Sequence, residues 1–87
     1  MAQYSVEIRT SAIKELEAVV PKKERQRIAR KISALATEPR PRECEKLAAQ
    51  GDRYRLRQGR YRIVYAIDDA RHLVDVVKIG HRKEVYR

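Results

Sequence analysis

Between residues 53 and 67 the chain reads RYRLRQGRYRIVYAI, with Arg53, Arg55, Arg57, Arg60 and Arg62 interleaved among aromatic and aliphatic side chains. Successive side chains of an extended strand point to opposite faces of a sheet. One face of any sheet built from this segment is therefore apolar, and the other is largely guanidinium. Gln58-Gly59-Arg60 interrupts the pattern as a tight connection between two strands. In the second strand Tyr61, Ile63, Tyr65 and Ile67 share one parity, and Arg62, Val64 and Ala66 share the other. The first set is expected in the core.

The remaining segments fit around this hairpin. Tyr4, Val6 and Ile8 alternate with Ser5, Glu7 and Arg9, which predicts a half-buried first strand. Thr10 and Ser11 offer capping hydroxyls to a helix bearing Ile13, Leu16, Val19 and Val20. Pro21 ends that helix or starts the next at its first position. The second helix runs to Ala36 with Ile28, Ile32 and Leu35 along its apolar stripe, while Arg25, Arg27, Arg30 and Lys31 keep the rest solvated. Pro39 and Pro41 end it, and Gly51-Asp52 marks a turn. Asp68-Asp69-Ala70-Arg71 forms the next turn, and residues 73–79 are nearly all apolar, as in a central strand buried on both faces. Gly80 is expected where the chain leaves the sheet. The predicted order is β-α-α-β-β-β: a small α+β domain spanning residues 1–87, with an antiparallel sheet and a helical hairpin on one face.

With 87 residues, no Phe and no Trp, the core must be thin and built from aliphatic residues and tyrosine. A domain of this size buries about 60–65% of the surface its unfolded chain exposes. The net charge is +9. Residues 53–87 hold 10 basic and 4 acidic side chains, against 11 and 8 in residues 1–52. A basic excess gathered on a sheet points to nucleic acid or an acidic protein. The lone cysteine, Cys44, excludes an internal disulfide and suits a reducing cytoplasm. No segment is apolar enough to span a bilayer, so no membrane partner is expected. Two histidines and one cysteine show no metal-ligand spacing, so neither metal nor cofactor is expected.

The C-terminal motifs carry a family resemblance. Tyr-Arg-Leu-Arg-x-Gly-x-Tyr-Arg-Ile-Val-Tyr, an Asp-Asp turn, and an apolar strand ending Ile-Gly-His-Arg-x-x-x-Val-Tyr are similar to the RelE/ParE superfamily of bacterial toxins. The β-α-α lead-in and the length fit as well. The resemblance implies one of two activities. RelE-type members are ribosome-dependent endoribonucleases that cut mRNA within the codon. ParE-type members share the fold, lack the nuclease residues and poison DNA gyrase. The nuclease pattern falls on Arg55, Arg62, Arg82 and Tyr86, and Arg53 lies where some members carry a lysine. Here arginines replace lysines, and the segment from Arg82 to Tyr86 is two residues short of the pattern. The Arg82 and Tyr86 pair favours the nuclease. A cognate antitoxin that covers the basic groove is also implied.

Metal-independent RNA cleavage uses the adjacent 2′-hydroxyl as nucleophile. The site must accept its proton, stabilise the charged phosphorane and protonate the leaving oxygen. Arg62 and Arg82 suit the middle task, since guanidinium stays charged and grips phosphate oxygens in a fork. Arg53, Arg55 and Arg57 suit the flanking phosphates. Guanidinium is a poor base, so proton transfer is expected from Tyr86 and His81, with Glu43 and Glu45 as weaker candidates. Each has a plainer reading. Arg62 could be an exposed strand residue paired with Asp75, His81 a loop histidine, and Tyr86 an apolar anchor. His72 and Cys44 are expected to be inert.

Overall fold

The computed structural model describes residues 3–47 and 51–81. The order is β1 (Ser5–Ile8), α1 (Thr10–Glu17), α2 (Lys22–Ala34), β2 (Glu45–Lys46), β3 (Arg53–Gln58), β4 (Tyr61–Asp68) and β5 (Leu73–His81). The five strands form one sheet in the order β1-β5-β4-β3-β2. The α+β class and the paired helices follow the sequence reading. In sheet topology two features depart from it. β1 runs parallel to β5, with Ser5 opposite Leu73 and Ile8 opposite Val76. The two-residue β2 adds an edge beside β3, in a segment with no alternation to announce it.

The core lies between the helices and the inner face of the sheet. Ala12, Ile28, Ile32 and Leu35 meet Leu56, Ile63, Tyr65, Val74, Val76 and Ile79. The inner set on β5 jumps from Val76 to Ile79 because the ladder slips: Val64 faces Lys78, while Tyr65 faces Val76. Val77 is thus the extra residue of a bulge, which re-aims the strand end. β5 is not buried on both faces, since Leu73, Asp75, Val77 and Lys78 stay half-exposed. The doubly buried strand is β4, where Arg62, Ile63, Val64 and Tyr65 are all covered. β4 has long partners on both sides, whereas β1 shields β5 over only four residues.

Beyond Ile8 the edge of β5 is closed by a helix. The Ile79 N–H donates to Glu15 Oε1 at 3.0 Å, and Lys78 Nζ to Oε2 at 2.8 Å. Gly80 consequently lies within the strand rather than at its end. Other boundaries shift for local reasons. Arg9 N–H still bonds Val76 O, so Arg9, not Thr10 or Ser11, is the N-cap of α1, and it offers no side-chain cap. Val19 is buried but Val20, after the helix, is 70% exposed. Pro21 is the N-cap of α2 rather than its first residue. Gln58 faces Tyr61, so Gly59 and Arg60 alone join β3 to β4, with Gly59 at φ +58°. Glycine opens such turns because positive φ costs it little.

Candidate functional site

The outer face of the sheet carries the arginines in register. Its rungs are Arg57–Arg62–Gly80, Arg55–Val64–Lys78 and Arg53–Ala66–Asp75. Neighbouring strands lie about 4.8 Å apart and same-face residues about 7 Å apart along a strand. Arg53, Arg55, Arg57 and Arg62 therefore share a patch about 14 Å long and two strands wide. They fall on the outer face because Tyr54, Leu56 and Ile63, of the opposite parity, are held by the core.

Arg62 is the most buried of the four, at 5% exposure. It stands opposite Gly80, which puts no side chain beside it, and its Nη1 makes a long 3.5 Å contact with the Tyr61 carbonyl. Arg62 does not pair across the sheet with Asp75. That carboxylate is taken by Arg9 at 3.0 Å, and it lies two outer-face rungs from Arg62. Arg57 faces Arg62 directly, so two guanidinium-bearing residues share one rung. Arg55 reaches the β2 edge, where Glu45 takes its Nη2 at 2.5 Å. Glu43 lies 3.7 Å from Lys31 of α2. Lys31 also donates to the Arg57 carbonyl at 2.8 Å, fixing β3 against the helix.

The structure does not bring His81 to this face. His81 pairs with Tyr61, on the inner parity, and their rings meet edge to face with centroids 5.7 Å apart. The Tyr61 hydroxyl donates to the Val20 carbonyl at 3.3 Å. His81 and Tyr61 line a hollow with Val20, Pro21 and Glu24 at the helical side. Arg82 and Tyr86 fall outside the described residues. No cluster of metal-ligating side chains occurs among the described residues, and none of their helices is long and apolar enough to cross a membrane.

The groups with displaced proton affinities sit at the other end of the sheet. Arg40 grips Asp69 with two bonds of 3.1 and 2.8 Å, and its Nε reaches the Tyr54 hydroxyl at 3.0 Å. Tyr4 donates to Asp69 at 2.6 Å. The bonds from Arg40, then Tyr4, hold the Asp69 carboxyl down to about 2. Accepting that bond, Asp69 pushes the Tyr4 hydroxyl up. Burial above all pushes Tyr65 up; its hydroxyl donates to Pro39 O at 2.9 Å. These contacts tie the loop after α2 to the β4–β5 turn. Sequence reasoning missed them because Arg40, Asp69 and Tyr4 are remote in the chain and no spacing links them. His72, at φ +49° beside Tyr4, and the half-buried Cys44 join no catalytic arrangement among the described residues.

A mixed sheet with one arginine face and a helical pair behind it defines a small basic α+β domain. A family model described as the ParE toxin of type II toxin-antitoxin system, parDE, matches residues 6–86. The chain belongs to this RelE/ParE superfamily, as a type II toxin of RelE type. The RelE of the archaeal RelE–RelB complex from Pyrococcus horikoshii superposes with a TM-score of 0.82 at 31% identity, over 97% of this chain and 99% of that one. The isolated Escherichia coli RelE toxin gives 0.78 at 28% identity, over 95% and 90%. A chain of the RelBE2 toxin–antitoxin complex of Mycobacterium tuberculosis gives 0.78 at 27%, over 92% and 99%. In sequence, Toxin RelE of Mycobacterium tuberculosis is 52% identical over 31 residues, 36% of this chain and 32% of that toxin. The chain thus matches about a third of that toxin's length.

Proposed function

We propose that this toxin is a metal-independent endoribonuclease that cuts mRNA on the ribosome, with the RNA 2′-hydroxyl as nucleophile. The observation that carries the reading is the rung in which buried Arg62 faces Arg57 on one side and Gly80 on the other. A phosphate seated there meets preorganised charge, and the missing side chain at Gly80 leaves room for the strand. Arg62 stabilises the phosphorane together with Arg82. Arg53, Arg55 and Arg57 hold the flanking phosphates. Tyr86 accepts the 2′-hydroxyl proton, and the leaving 5′-oxygen takes its proton from water as its bond to phosphorus breaks. His81, on the inner face, supports the strand end through Tyr61 rather than transferring a proton. Metal-free cleavage of this kind needs fixed charge more than a reactive group, which suits a face made of guanidinium.

The RelE relatives in complexes with RelB support a cognate antitoxin as partner. An acidic segment laid over the arginine face would compete with RNA for the same forks. The matching of a ParE family model favours a second reading, a DNA gyrase inhibitor without nuclease activity. Brief induction in bacteria, followed by mapping of mRNA 5′ ends, separates the two. Cuts inside codons are expected. An intact transcript pool with inhibited supercoiling would select the gyrase reading.

A further inference from the structure

The helix layer carries a second basic surface that the cleavage face does not use. α2 holds six basic residues and one acidic residue among its thirteen. Ile28 and Ile32 point into the core. At 100° per residue, Lys23, Gln26 and Arg30 fall within about 40° of the direction opposite Ile28. With Arg27 they line a shallow depression of about 230 Å³. Arg27 is partly neutralised by Glu24 at 3.0 Å, but Lys23 and Arg30 form no ion pair among the described residues. The helices cover the inner face of the sheet, so this surface looks away from the arginine rungs.

We infer that the outward face of α2 binds the phosphate backbone of duplex RNA, while the sheet face holds the strand to be cut. Lys23 and Arg30 are seven residues apart, about 10 Å along the helix axis. That rise puts both cations on one side of the helix, within reach of successive phosphates of one strand. The face has no apolar anchor of the kind that dominates protein interfaces. The large exposed hydrophobic residues, Ile13 and Val20, both lie outside α2. Row, charge and the lack of an anchor favour a polyanionic backbone over an acidic protein. RNA is chosen as the polyanion on the strength of the proposed function, but duplex binding is measured without cleavage.

The test uses the purified full chain and a 2′-O-methyl RNA duplex, which has no nucleophilic hydroxyl. Fluorescence anisotropy is recorded across a salt series for the parent, K23Q/R30Q and Q26E. The double variant is expected to bind about tenfold more weakly, with a salt slope smaller by about two. Gln26→Glu, which puts a carboxylate into the same depression, is expected to weaken binding in the same direction. These residues are exposed, and matching thermal melts confirm that the variants fold. Parent-like affinity and slope in both variants overturn the inference, even if the toxin cuts mRNA. So does a loss of antitoxin affinity with duplex affinity unchanged, which would make the face a protein interface. Weakened duplex binding in a chain that cuts no mRNA sustains the inference and removes the nuclease reading instead.

Discussion

Arg62 and His81 occupy opposite faces of the β4–β5 ladder, although Arg62 is paired with Gly80, the residue just before His81. Alternation separates them: Arg62 looks out over the arginine face, and His81 packs on Tyr61 at the helical side. Arg62→Ala is therefore expected to lower mRNA cleavage on ribosomes by about 10²–10³-fold, the cost of losing one transition-state charge partner. His81→Gln is expected to fall well short of the about 10²–10⁴-fold that loss of a general acid or base removes. Single-turnover cleavage assays on the two variants read the difference directly. Equal losses would move His81 into the chemistry.

Gly59→Ala is expected to destabilise the fold by about 1–2 kcal/mol, the cost of a left-handed backbone for a residue with a Cβ. Gly59 sits at φ +58°, and a Cβ there would run into the Glu24 carboxylate. Gly51 has a similar φ of +63° but open space around it. Urea midpoints should then rank Gly59→Ala below Gly51→Ala, and both below the parent.

The Asp69 carboxyl, held down to about 2 by Arg40 and then Tyr4, sets an acid limit. Its folded affinity for protons lies below the ordinary 3.8. The linked stability is fully present above pH 3.8 and is lost as pH falls toward 2. Thermal melts of the parent should drop through that window. Asp69→Asn should start lower at neutral pH and lose this part of the acid slope.

Glu15→Ala removes the acceptor of the Ile79 N–H at the edge of β5. Amide exchange at Ile79 is expected to speed up about tenfold, in line with losing one hydrogen bond to a charged group. Exchange at Ile63, inside the β4 ladder, should change far less. A uniform change across both sites would mean global destabilisation instead of a frayed edge.

Much of the fold was legible because its signals are local. The alternation from Arg53 to Ile67, the Gly59 connection and the apolar stripe of α2 each sit within a few residues, and each appears in place. The placing of Arg53, Arg55, Arg57 and Arg62 on one face followed from parity alone. What escaped was long-range. Nothing in residues 5–8 says that their partner is β5 or that the pairing is parallel. The Val77 bulge, the Glu15 bond and the Arg40–Asp69 clasp depend on packing between distant segments. The side of the strand that His81 takes was hidden for a related reason: its neighbours in sequence belong to the arginine motif, but its side is set by the register with Tyr61. The basic row on α2 was read as solvated because a helix face shows its orientation only once its core face is fixed.

The parallel seam between β1 and β5 imposes an order on events. Among the described strands β1 has no pairing partner until residues 73–76 have been made. β5 also supplies Gly80, the far end of the arginine rung. A nascent chain stopped before that point can bury its helices and pair β3 with β4, yet it lacks the finished wall. Completion of the arginine wall thus waits on the synthesis of β5.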